Sequence, residues 1–394
     1  MPGENDKRLA LFLDGTWNTT DDNTNVWRLK CLCAQTPLQR VYYSAGVGTQ
    51  HGEKLSGGLF GVGINEEVMA AYEWLIENYE DGAYIYIFGF SRGAFTARSL
   101  AGFISRCGLL KAGSPISLPQ LYAKYRSGEA TSILGLREKK EGLSLEEKRM
   151  QKYCRPAPVF FQGVWDTVGA LGVPLPLIPN VSAHDFQFLE TDLHINDSYA
   201  FHALAIDEHR HPFAPTLWTK TVPQTGPTTP ERSFHAVEQR WFVGAHSNVG
   251  GGYENDLLAQ IPLKWIMDKA TLHGLLVKDI VDLEDGSSEC PIHDSFAEMA
   301  GGAYQVIALW KRFYREIGAD PQSVDAGKMH VINESIDASV FAYHRANPGY
   351  RPQNLEAWLT KRGVKADTIA MAVDAREPKK PIDDTEPLPK AIGV

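Results

Sequence analysis

The sequence predicts an α/β fold in which a mainly parallel sheet carries helices on both faces. Two observations predict it. Short apolar runs end in small, polar or chemically reactive residue types, as strands do when they deliver side chains to the carboxyl edge of a parallel sheet. Stretches with helical periodicity separate these runs, and alternation of strand and helix is the signature of a sheet covered on both sides.

The strand-like runs are Leu9 to Leu13, Tyr84 to Phe88, Val159 to Trp165 and Trp241 to Ala245, with Arg40 to Ser44 joining the same sheet. Asn65 can cap a helix with Glu66 and Glu67 in its first turn and Val68, Ala71, Tyr72, Leu75 and Ile76 on one face. Gly57, Gly58, Gly61 and Gly63 before it lack a following G-K-[ST], so they suit a mobile loop bordering the site rather than a nucleotide phosphate cradle. Residues 111–157 break into Pro, Gly and charge and read as a lid-like insertion. A helical region is expected over 276–365, within one domain spanning 1–365. Residues 366–394, with Lys379, Lys380, Asp383, Asp384 and Glu386, have the composition of a flexible tail.

Composition narrows the function classes. A net charge of -9 disfavours nucleic acid as a partner, because phosphate binding draws on clustered Lys and Arg. The 5 cysteines include Cys31 and Cys33 at a spacing unlike zinc knuckles and read as reduced thiols. Asp14 ends the first apolar run short of a signal peptide's h-region, so synthesis in the cytoplasm is expected and export would need a route that ignores cleavable signals. His194, His202, His209 and His211, with Asp192, Asp197, Asp207 and Glu208, form a cluster that fits no dense metal motif; surface and hydrogen-bonding roles are expected, with neither metal nor cofactor. The sequence sets no oligomeric state.

The chemistry is read from Gly89-Phe90-Ser91-Arg92-Gly93, which follows a strand-like run and precedes a helix-forming stretch. A G-x-S-x-G in that context is the nucleophile elbow of an α/β-hydrolase, where a serine sits on a sharp turn and flanking glycines let strand and helix pass closely. A serine hydroxyl needs a histidine to take its proton and a carboxylate to hold that histidine. In the chain order serine, acid, histidine, Asp166 ends one strand-like run and His246 ends another. The oxyanion donors are expected from the backbone of Arg92 and from the turn Gly15-Thr16, with Asp14 either fixing that turn by hydrogen bonding, the preferred reading, or binding a cation. The apolar, proline-interrupted stretch Ala170 to Val181 offers either an acyl-chain surface or core packing.

These stretches resemble the catalytic domain of type VI secretion phospholipase effectors of the first lipase-effector group, and its standalone uncharacterised relatives. The likeness runs through Leu11 to Asn18, Gly46 to Thr49, Gly89 to Ala94, Trp165 to Gly169, Ala203 to Glu208 with Phe213 and Trp218, His246 to Tyr253, and Tyr350 to Leu355. It implies an α/β-hydrolase fold, the triad Ser91, Asp166 and His246, and hydrolysis of esters, phospholipids foremost, with transient contact at a membrane surface. Asn248 stands where many relatives carry an acidic residue, and the long additional regions of the large effectors are absent. Two other readings stay open: an acyl hydrolase of another class, such as a thioesterase, polyester esterase or peptidase, and a catalytically inactive binding module.

Overall fold

The first apolar run becomes a strand with every residue buried, and its alternation sorts side chains to the two faces of a sheet. Leu9, Leu11 and Leu13 enter one core layer, while Ala10 and Phe12 enter the other. The computed structural model describes residues 1–15, 20–46, 59–139, 141–169, 198–223, 231–302, 304–305, 308–324 and 327–384. Its central sheet has 8 strands: β1 Arg8–Leu13, β2 Gln39–Ser44, β3 Tyr84–Phe90, β4 Val159–Trp165, β5 Tyr199–Ala205, β6 Val237–Phe242, β7 Glu334–Ile336 and β8 Val373–Asp374. In space they run β8-β7-β6-β5-β4-β3-β1-β2, and every pair is parallel except β7 with β8.

Helices α1 Asn25–Leu32, α2 Leu59–Asn78 and α3 Arg92–Cys107 flank the first strands. Val68, Ala71, Tyr72 and Leu75 of α2 pack with Ala97, Leu100 and Ile104 of α3 over Ile85 and Ile87. Beneath the sheet, Val26 and Leu29 of α1 meet Phe12, Phe88 and Phe161, where Phe12 and Phe88 stack at 4.9 Å across paired register positions. The predicted helix begins earlier than expected: Asn65 lies inside α2 and accepts a hydrogen bond from the Tyr122 hydroxyl instead of capping. Gly61 and Gly63 belong to that helix, whereas Gly57 and Gly58 lie outside the described residues.

The 111–157 insertion folds as α4 Leu118–Arg126, α5 Ile133–Glu138 and α6 Leu145–Tyr153. Its Leu121, Tyr122, Tyr125, Ile133, Leu136 and Met150 are buried in the layer shared with α2 and α3, and Tyr122 and Tyr125 pack on Phe103. These buried side chains anchor the segment to the core.

The carboxyl-terminal third departs further from expectation. Residues 276–365 contribute the sheet strand β7, and only part of the region is helical, in short pieces that include Ala338–Ala346 and Gln353–Arg362. The predicted tail is also corrected, for residues 366–384 belong to the fold. Val373–Asp374 closes the sheet as β8, and the Trp358 indole donates to Ala375 O at 2.7 Å. Asp384 meets the buried Arg240 guanidinium at 2.7 and 3.0 Å, adding to the counter-charge that the buried Glu238 already supplies at 2.7 Å. One acid of the charge run, Asp384, thus joins a buried arginine's ion-pair cluster, while residues 385–394 lie outside the description.

Candidate active site

Four strand ends meet at the carboxyl edge of the sheet: β1 leads to Asp14, β3 to Ser91, β4 to Asp166 and β6 through Gly244 to His246. Ser91 has φ 57° and ψ -121°, a conformation that L-residues seldom adopt, and its N–H donates to Trp165 O at 3.0 Å. The turn is compressed on both sides. A Cβ on Gly89 would stand 2.5 Å from Gly93 O, and one on Gly93 2.2 Å from Leu13 O, so only glycine fits at either position. A strained serine between a parallel strand and the helix that follows it is the elbow of an α/β-hydrolase fold, which the chain adopts.

The His246 imidazole lies between Ser91 and Asp166. Its Nε2 is 2.8 Å from Ser91 Oγ and its Nδ1 2.5 Å from Asp166 Oδ2. An ionised carboxylate only accepts, so Nδ1 carries the proton and Nε2 is left to accept from the serine hydroxyl. Phe90 and Phe213 pack on the ring at centroid distances of 4.6 and 5.1 Å. Burial lowers the His246 pKa below its usual value, outweighing the opposing hydrogen bond and charge of Asp166, which favours the neutral imidazole.

Asp166 is fully buried with φ 38°. Its Oδ1 accepts from Ala205 N at 3.0 Å and from Arg315 Nη1 at 2.6 Å, and its Oδ2 accepts from Arg315 Nη2 at 3.0 Å as well as from His246. Burial alone would raise its pKa, but the Arg315 charge and the bond from His246 hold it well below the usual carboxylate range. Arg315 has no local sequence signal and stands 149 residues from its partner, which is why sequence reasoning passes over it. Glu208, part of the histidine-rich cluster and of the family-like stretch in the sequence, lies beside His246. It is fully buried, accepts from His246 N at 3.3 Å and Ser295 Oγ at 2.9 Å, and pairs with Arg210, whose guanidinium lies 3.6 Å above the Phe213 ring.

The supporting residues divide. Asp14 fixes its turn, accepting from Thr24 Oγ1 at 2.6 Å, Tyr43 OH at 3.1 Å and Gly15 N at 2.8 Å. The Gly15 N–H expected to face an oxyanion is thus bonded to Asp14, and Thr16 lies outside the described residues. Arg92 opens α3 directly after Ser91, which places its backbone N–H at the helix start. Asn248 accepts from Ala245 N at 3.0 Å and donates to Asp256 at 3.0 Å, so its amide ties the His246 loop together without touching the imidazole. Glu67, beside Arg92, accepts from Ser44 and Thr96, and burial pushes its carboxyl up to about 7.

The histidine cluster disperses. His202 is buried under Asp166, accepts from Thr167 N at 3.0 Å, and is pushed down to about 3 by burial. His209 meets Phe313 O, and His211 packs on the Phe313 ring. His194 and Ala170 to Val181 lie outside the described residues, and among those described no three His, Cys, Asp or Glu converge on a metal site. Tyr350 and Asn354 lock the loop after β5, the first to Asp207 at 2.9 Å and the second to Ile206 O at 3.0 Å.

Comparison with known proteins places this geometry in context. Residues 7–269 match the family model described as T6SS phospholipase effector Tle1-like, catalytic domain. An uncharacterized protein of Saccharomyces cerevisiae is 28% identical over 232 residues, covering 54% of this chain and 33% of that protein. A crystal structure of an uncharacterized protein from Pseudomonas aeruginosa aligns at TM-score 0.40 and 17% identity, over 77% of this chain and 51% of that one. The Tle1 effector bound to the VgrG spike of the type 6 secretion system aligns at 0.35 and 18%, over 64% and 52%. The chain spans a third of the curated relative's length and about half of each solved chain.

Proposed function

Because the chain belongs to the T6SS Tle1-like phospholipase effector catalytic-domain family, we propose that it hydrolyses carboxylic esters through an acyl-enzyme on Ser91, with glycerophospholipid as its substrate class. The observation that carries this reading is the hydrogen-bonded line from Ser91 Oγ through His246 to the ionised Asp166.

Ser91 Oγ attacks the ester carbonyl carbon while its proton passes to His246 Nε2, and Asp166 stabilises the imidazolium that forms. The Arg92 N–H is one donor to the oxyanion; the second is the Gly15 N–H once it leaves Asp14 Oδ1. Collapse of the tetrahedral species breaks the bond to the leaving alkoxide, which takes the proton from His246. A water then attacks the acyl-enzyme, its proton goes to His246, and release of the fatty acid returns that proton to Ser91. No metal enters these steps. No helix among the described residues is long and apolar enough to cross a membrane, and the ester is reached by transient contact with a bilayer surface.

The test compares specificity constants for acetyl, hexanoyl and palmitoyl esters and a diacyl phospholipid. Each acyl methylene that the site buries contributes roughly 0.8 kcal/mol, so the constants should rise with chain length and fatty acid should leave the phospholipid. A steady fall with length, and no release from phospholipid, removes the phospholipase reading and leaves a short-ester or other acyl hydrolase.

A further inference from the structure

We propose that Arg315, which lies beyond the 7–269 segment matched by the family model, is a positioning residue that keeps Asp166 ionised and aimed at His246. The inference rests on the reading of Ser91 as nucleophile.

Asp166 has lost all contact with solvent, and a buried carboxylate without a counter-charge takes up a proton. Among the described residues Arg315 is the cation bonded to it. Its two terminal nitrogens grip both carboxylate oxygens at 2.6 and 3.0 Å, and such a fork fixes the carboxylate plane as well as its charge. The guanidinium is itself held, because Nη1 also donates to Ala205 O at 2.8 Å and Nη2 to Phe213 O at 2.5 Å. One side chain therefore ties together the acid, the end of β5 and the residue whose ring packs on His246.

The consequence is chemical as well as geometric. A protonated Asp166 would offer an O–H toward His246 Nδ1, drawing the imidazole into the tautomer whose proton sits on Nε2 and faces Ser91. That tautomer cannot accept the serine proton. Arg315 thus holds the proton inventory of the site in its working form from a part of the chain remote in sequence.

The experiment uses the full chain with R315K and R315M, and adds D166N alone and with R315M. R315M should lower kcat by about a hundredfold or more while KM moves by less than about threefold, since the side chain meets no substrate. Its acid limb in kcat/KM should move to higher pH by at least about one unit, with R315K in between, because lysine keeps the charge and loses the fork. In the D166N background, R315M should cost little further activity. A folded R315M with an unshifted acid limb, or a loss that adds fully to that of D166N, overturns the inference. If R315M does not fold, R315K decides by the same pH profile. Fluorophosphonate labelling of the wild type separates the two levels: no adduct on Ser91 brings down the nucleophile reading together with this inference, whereas an adduct with an unshifted R315K profile brings down the inference alone.

Discussion

Gly93 passes so close to Leu13 that a Cβ there would stand 2.2 Å from the Leu13 carbonyl oxygen. Strand β1 and the nucleophile turn are thereby fitted to one another, and the first strand sets the floor on which Ser91 is raised. Gly93→Ala should destabilise the protein by on the order of 2–4 kcal/mol in denaturant unfolding and slow modification of Ser91 at least tenfold, since backbone rather than a flexible side chain must move. A variant of wild-type stability and labelling rate would show that the turn is looser than this.

The pH dependence follows from His246. Burial lowers its pKa, so its base form persists to lower pH than that of a free imidazole. The acid limb of kcat/KM should lie below that of a free imidazole, with activity lost as pH drops through it. A limb above that of a free imidazole would mean that the attraction of Asp166 for the imidazolium outweighs burial.

Glu67 supplies a separate test, read in stability. Burial raises its carboxyl to about 7 from an ordinary value of 4.5. Between those values the folded state holds a proton that the unfolded chain has released, so stability should decline as pH rises through that window. Glu67→Gln should flatten this part of the Tm profile. An unchanged slope would assign it to other groups.

Asn248 bridges Ala245 N and Asp256, and its replacement by an acid would put two carboxylates where an amide now donates to one. Asn248→Asp should therefore be less stable at pH 8 than at pH 5, relative to wild type, by about 1–3 kcal/mol. A difference independent of pH would indicate that Asp256 turns away to solvent.

How far the sequence reaches can be judged from particular residues. β1, β3 and β4 are legible because each is mainly apolar and ends just before a polar residue, and Ser91 because glycines flank it between strand and helix. The three-residue strand β7 and two-residue strand β8 carry too few side chains for any period to show, and they are defined by hydrogen bonds to distant neighbours. Asp384 looked like solvated charge because its partner Arg240 lies 144 residues away. Arg315 is illegible for the same reason, 149 residues from Asp166, and Glu208 because its contacts to His246 N and Ser295 Oγ span 38 and 87 residues. The Gly15 donor was inferred from a turn; the hydrogen bond that engages it comes from the carboxylate of the preceding residue, a detail of conformation rather than of spacing.

The most direct test of the account is to treat the wild type and Ser91→Ala with a fluorophosphonate and map the modified peptide. The account predicts one adduct on Ser91 in the wild type, none in Ser91→Ala, and ester hydrolysis lower in that variant by on the order of 10⁶. A folded wild type that takes no adduct, or takes it at another residue while Ser91→Ala keeps its activity within tenfold, would contradict it.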